Sequence, residues 1–237
     1  MCGRFVAATP TEVLAERFEV GEVLGTVAPS WNVAPTRDVH AVTGEEGRRR
    51  LEVLGWGLVP PWSRNPSAAA KLINARAETV HERPVFQPAF RSRRCLISAT
   101  GVYEWRRRPG GTGRPEPFYF ARPDGDVLAL AGIWEAWSDP TGRPRRTCAI
   151  ITGPAGPVMG AVHGRAPVVL TDEAWDDWLD PTMGSSGARL VLEAAMAAPE
   201  PWEARAVGRE VNDVATDGPH LIAAPGPAPL FDPGSAR

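Results

Sequence analysis

Lysine is almost missing from this chain: Lys71 is the only one in 237 residues. Chemistry that needs a primary amine is therefore confined to Lys71 or to the polypeptide's own α-amine. Cysteine is scarce as well. Cys2, Cys95 and Cys148 make an odd number with no CxxC spacing, which argues against a disulfide framework and a structural zinc site. Neither a metal nor a cofactor is expected. No apolar run approaches the length of a membrane-crossing helix, and no charged segment followed by an apolar one opens the chain, so a cytoplasmic protein is expected. There is no internal repeat, and the formal net charge is only −2. Such a chain does not bind nucleic acid as a polycation.

What is present is ample core material. With 43% hydrophobic and 23% charged residues, residues 2–222 suffice for one large globular domain, followed by a Pro/Gly-rich tail, 223–237, expected to be disordered. CGRFVA reads as a short strand. Thr9-Pro10-Thr11-Glu12 has the form of a capping box, with Val13, Leu14 and Phe18 as the apolar face of a short helix. Strands are expected over Arg37–Val42 and Leu51–Val59 around a charged turn, and over Arg94–Trp105. Further strands are expected at Phe118–Arg122 and Val127–Trp134, around a Pro-Asp-Gly-Asp turn, and at Thr147–Thr152 and Pro167–Leu170. Thr171-Asp172-Glu173 should cap a helix reaching Leu179, and Leu190–Ala198 reads as another. The pattern is that of a β-rich α+β fold with peripheral helices.

Charge is unevenly distributed. Between Lys71 and Phe120 ten basic residues face four acids. Were they to share a face, they would form a phosphate-binding surface that the overall charge conceals.

Cys2 carries the most chemistry. Methionine is generally removed before a small residue, and a mature chain beginning at Cys2 would have a thiol and a free amine on adjacent carbons. An aldehyde condenses with such an amine to an imine, which the sulfur closes to a thiazolidine. An internal cysteine cannot do this, because its nitrogen is an amide. The open-chain form of an abasic site in DNA is a matching aldehyde. Position alone favours a merely buried cysteine; the surrounding motifs weigh against that.

Those motifs are MCGRF, WNVAPT (Trp31 to Thr36), WGLVPPW (Trp56 to Trp62), INARAET (Ile73 to Thr79), CLISATGVYEW (Cys95 to Trp105), AGIWEAW (Ala131 to Trp137), VHGRAPVVL (Val162 to Leu170) and VND (Val211 to Asp213). In this order the chain resembles the SOS response-associated peptidase (SRAP) family of abasic-site-processing proteins, from residue 2 to about residue 222. The resemblance implies a SRAP fold with a barrel-like sheet core and a cleft for single-stranded DNA containing abasic sites. It implies a monomer that associates with the nucleoid when bound to DNA. Cys2 would be the residue linked to DNA, Asn74 would hold its amino terminus, and Glu104 and His163 would complete the catalytic group. Arg4, Arg76 and Arg165 would contact phosphate or the sugar. Asn32, Pro35 and Trp62 fall in the matching DNA-contacting segments, Trp62 as an apolar wedge. Trp56, Trp105, Trp134 and Trp137 read instead as core. The chain departs from the family's HDRMP at Gly164 and Ala166, losing an aspartate that could orient His163, and has Thr100 where the family often has Asp.

Two other readings fit the same residues. One is a cysteine peptidase, with Cys2 as nucleophile, His163 as base and Glu104 as orienter, limited to removing its own Met1 or reaching further. The other is a non-covalent reader of damaged or modified DNA, held by arginines and aromatics alone.

Overall fold

β-branched and aromatic residues recur in runs of four to eleven between turn-forming Gly, Pro and Asp, and strands accordingly dominate. The computed structural model describes residues 2–45, 47–107, 110, 113–138 and 141–225. In chain order the strands are β1 Phe5–Ala7, β2 Glu22–Val23, β3 Ser30–Val33, β4 Asp38–Glu45, β5 Arg48–Trp56, β6 Asn74–Arg76 and β7 Arg94–Ala99. They continue as β8 Gly101–Arg106, β9 Glu116–Ala121, β10 Leu128–Ser138, β11 Pro144–Pro154, β12 Arg165–Pro167 and β13 Glu203–Ala206. The helices are α1 Thr11–Arg17, α2 Gln87–Ser92, α3 Pro157–Gly160, α4 Trp175–Leu179 and α5 Gly184–Ala197.

β5, β4, β7, β10 and β11 pair antiparallel in that order. The ring closes because β11 also pairs in parallel with β5, Thr147 opposite Gly55 and Cys148 opposite Trp56. Closure removes both edges of the barrel. β6 and β12 attach to β11 beyond the closure. A second sheet runs β13-β9-β8-β1-β3. This is the β-rich, barrel-cored α+β fold expected.

Strand periodicity sorts the core into two main clusters. Leu96, Ala129, Ala131, Ala149 and Ile151 pack with Trp175, Trp178, Ala188 and Leu192 of the helices. Their chain neighbours Cys95, Ile97, Leu128, Leu130, Cys148 and Ile150 pack instead with Cys2, Phe5, Val102 and Phe120. The alternation thus delivers Cys2 to the region between barrel and second sheet.

Local expectations are corrected in four places. α1 begins at Thr11 with Pro10 as its flanking residue and no side-chain cap. The Thr11 hydroxyl lies 3.2 Å from His40 Nε2 instead, and Val13 is exposed. The run Arg94–Trp105 is two strands in different sheets. Its corner is Thr100, whose N–H donates to Val6 O, whose hydroxyl accepts from Ala8 N–H, and whose carbonyl accepts from the Tyr119 hydroxyl. Gly101 is required there, because a Cβ would lie 2.5 Å from the Tyr119 ring. The strand expected at Pro167–Leu170 ends at Pro167 and continues only as a Leu130–Val169 bridge. α5 starts at Gly184, earlier than Leu190, because the weak helix formers Gly184 to Gly187 hide its first turn. Beyond residue 225 the expected tail lies outside the described residues.

Candidate functional site

β1 and β8 pair antiparallel with Phe5 opposite Val102, and Tyr103 N–H donates to Arg4 O at 3.0 Å. Extended by the same register, Glu104 falls beside the residues that precede β1. Both Cys2 (0% exposed) and Glu104 (4% exposed) are buried. On the other flank β6 runs parallel to β11 with Asn74 opposite Ile150, and Asn74 Nδ2 donates to the Cys2 carbonyl at 2.7 Å. Asn74 Oδ1 is buried without a hydrogen-bond partner among the described residues. Trp56 braces both flanks: its ring meets Phe5 edge-on at 4.8 Å, and its Nε1 donates to Ile73 O at 3.0 Å.

The electrostatics keep the Cys2 thiol protonated at neutral pH. Burial pushes its pKa well up, and the charge of Glu104 adds to the rise. The charge of the amino terminus and, less strongly, the backbone N–H of Arg4 donating to the sulfur oppose both.

His163 follows α3. Its backbone N–H donates to Met159 O at 2.9 Å, and Arg165 N lies 3.1 Å from its ring Nδ1. The same Nδ1 lies 3.2 Å from Arg165 O, so the tautomer decides which of these two backbone groups it bonds. The backbone of Arg165 therefore does the orienting that an aspartate at position 164 would otherwise do. β12 and β6 lie on opposite sides of β11, Thr152 pairing with Arg76 on one and Pro167 on the other. This brings the HGRAP and INAR segments together.

The arginines play unequal parts. Arg165 makes a two-pronged bond to Glu78, at 2.6 and 2.9 Å, and also donates to Thr152 O. That pairing holds the Glu78 carboxyl below its usual range. Arg76 is exposed beside it. Arg4 donates to Asn32 Oδ1 at 2.7 Å and to Val211 O at 2.9 Å, and lies over the Trp105 ring. Asn32 is buried, its amide spent on Asp213 O and Thr216 O, so it shapes the site through Arg4 and the 211–216 segment. Glu78 and Asn212, which accepts from Trp105 Nε1 at 2.7 Å, gained no role from sequence reasoning. Both stand inside the quoted motifs INARAET and VND, the only signal they gave.

The ten basic residues of the 71–120 stretch do not form one surface. Arg94 is buried, donating to Phe90 O, Arg91 O, Trp178 O and Asp180 O. Arg93 pairs with buried Glu135, and Arg106 with Glu116. Arg108 lies outside the described residues.

Of nine tryptophans, Trp62 alone is exposed, at 62%. Pro35 is half-buried beside Thr36, whose backbone takes the left-handed conformation (φ 74°) while its N–H donates to Trp56 O. A cavity of about 360 Å³ joins these loops, lined by Thr36, Gly57, Asn65, Ser67 and Arg145. No helix among the described residues is long and apolar enough to cross a membrane. No cluster of three or more His, Cys, Asp or Glu among them is placed to hold a metal.

A closed barrel backed by a second sheet places a near-terminal cysteine between an amide and a carboxylate. The chain belongs to the SOS response associated peptidase (SRAP) family, whose model matches residues 1–214. It is 36% identical to the abasic site processing protein YoqW of Bacillus subtilis over 94% of this chain and 99% of that one. With abasic site processing protein YedK of Escherichia coli it shares 28% identity, over 94% and 99%. With abasic site processing protein HMCES of Gallus gallus it shares 31%, over 84% and 67%. Two crystal structures share the fold. One, of a Bacteroides thetaiotaomicron protein, has a TM-score of 0.80 at 22% identity and covers 94% of this chain and all of that one. The other, from Bordetella bronchiseptica, has 0.73 at 26%, covering 87% and all of it.

Proposed function

We propose that this chain processes abasic sites in single-stranded DNA by bonding to them through Cys2, once Met1 is removed. The observation that carries the reading is the pairing of Asn74 with the Cys2 carbonyl beneath the charge of Glu104. An amide and a carboxylate converge on the start of the chain.

The reaction balances without oxidant or metal. The α-amine adds to the aldehyde carbon of the opened sugar; the carbinolamine loses water to give an imine. The sulfur then adds to the imine carbon and its proton passes to nitrogen. One C–N and one C–S bond form and one water leaves. The amine attacks first, and sulfur follows once a base takes its proton. Glu104 is the group for proton transfer at nitrogen and sulfur, and His163 acts on the sugar hydroxyl or departing water. Arg4, Arg76 and Arg165 hold phosphates, with Trp62 and Pro35 against neighbouring bases. The covalent bond shields the lesion.

Incubation with an abasic single-stranded oligonucleotide should give a species that survives boiling in detergent, with the added mass on Cys2. Lys71→Ala should leave borohydride trapping of the imine intact, since the α-amine is the only other primary amine. Full crosslinking by protein carrying extra residues ahead of Cys2 would refute the proposal. A complex that denaturant dissolves would favour the non-covalent reader, and residual peptide cleavage by Cys2→Ser would favour the peptidase.

A further inference from the structure

We infer that Glu200 is a positioning residue for His163, acting through α3. The inference rests on the role given to His163 above. α3 has only four residues and no side-chain cap of its own. Its unpaired first amides are met by Glu200, whose carboxylate accepts from Val158 N–H at 2.6 Å and from Met159 N–H at 3.4 Å. An acid at a helix start satisfies these donors and complements their partial positive charge. At the other end of the same turn, Met159 O accepts the backbone N–H groups of Val162 and His163, both at 2.9 Å. The carboxylate is thus two hydrogen bonds from the catalytic loop.

Glu200 is itself held. It stands between Pro199 and Pro201, which restrict its backbone. Trp202, next along, is buried in the same cluster as Cys2 and Met159. Gly156 leaves room for the contact, since a Cβ there would lie 2.5 Å from the Glu200 carboxyl carbon. Ala155 N–H donates to Gly164 O at 3.2 Å and closes the loop around His163. A strap anchored in the cluster that also holds Met159 therefore sets the height of α3, and with it the imidazole.

The test is the single-turnover rate of adduct formation over a range of abasic oligonucleotide concentrations. It compares wild type, Glu200→Ala, Glu200→Gln, His163→Ala and the double variant Glu200→Ala/His163→Ala. Glu200→Ala should lower the maximal rate at least about fivefold while half-saturation stays within about twofold, a partition that marks a misplaced reacting group. Glu200→Gln, which keeps an acceptor for Val158 N–H, should recover most of the rate. Glu200→Ala should cost nothing further in the His163→Ala background. Gly156→Ala gives the same result by a second route, displacing the carboxylate while leaving it in the protein, and serves if Glu200→Ala does not fold. Unchanged rates in folded Glu200→Ala or Gly156→Ala, or losses that add to that of His163→Ala, overturn the inference. If wild type forms no adduct, the reading of Cys2 fails and this inference with it.

Discussion

Asn74 donates its side-chain amide to the backbone carbonyl of Cys2 at 2.7 Å, across 72 positions of chain. The bond fixes a terminus that would otherwise fray, at the seam between barrel and second sheet. Asn74→Ala should slow adduct formation on the order of 10²-fold, the cost of a reacting group misplaced by about 1 Å. Oligonucleotide affinity should hardly change. Denaturing gels on a quench-flow time course give the rate, and an unchanged rate would mean that the backbone alone holds the terminus.

Trp62 is the large side chain most open to solvent in its loop, 62% exposed. Trp62→Ala should leave the melting temperature within a degree or so. It should weaken single-stranded DNA binding by about fivefold to a hundredfold, as expected for one lost base stack. Fluorescence anisotropy with an abasic oligonucleotide decides; equal affinity would remove Trp62 from the interface.

Arg94 is a structural cation. It serves four carbonyls at the ends of α2 and α4, and burial lowers its pKa. Arg94→Met should cost about 3 kcal/mol or more in urea unfolding, because buried acceptors lose a charged donor. The folded fraction should bind DNA as wild type does. Weakened binding at unchanged stability would restore Arg94 to the phosphate surface.

His40 is buried, and Val27 N–H donates to its Nε2 at 3.2 Å, so that nitrogen must carry a lone pair and the ring is neutral. Burial lowers its pKa, with the charge of Glu12 opposing more weakly. The native state therefore binds this proton less readily than the unfolded chain. The stability contribution is complete above the unfolded pKa, about 6.5, and is lost as pH falls through the lower folded value. Urea midpoints should decline below pH 6.5 with a slope of up to about 1.4 kcal/mol per unit for this one proton. His40→Gln, which keeps an acceptor for Val27 N–H, should flatten the slope; an undiminished slope would assign the acid sensitivity to other groups.

Much of the fold was legible because strands and turns write themselves locally. The Pro123–Asp126 turn, a strand through Thr147–Thr152 and a helix ending at Leu179 fall where their residues predict, although Thr171 makes no side-chain cap and Asp172–Ala174 forms a 3-10 turn ahead of the helix. The Thr9–Glu12 box misleads because the helix starts after Pro10, which has no side-chain acceptor, and not after Thr9. Arg94–Trp105 reads as one strand because neither Thr100 nor Gly101 looks like a corner until Tyr119 packs against it. The arginine-rich stretch suggests a common face because spacing says nothing of burial, and Arg94 is almost wholly enclosed.

From sequence alone came the proposed chemistry, an aminothiol at Cys2 once Met1 is removed with Lys71 as the single alternative amine, and an ordered set of motifs that points to the family. These depend on covalent connectivity, which the chain carries at every stage of folding. Tertiary structure alone decided that Cys2 is buried between Asn74 and Glu104, that Arg165 is clamped by Glu78, and that Asn32 faces inward. Those outcomes follow from pairings between distant segments, β1 with β3 and β8, and β11 with β6 and β12. Contacts between segments so far apart arise from register and burial, which no local pattern of residues contains.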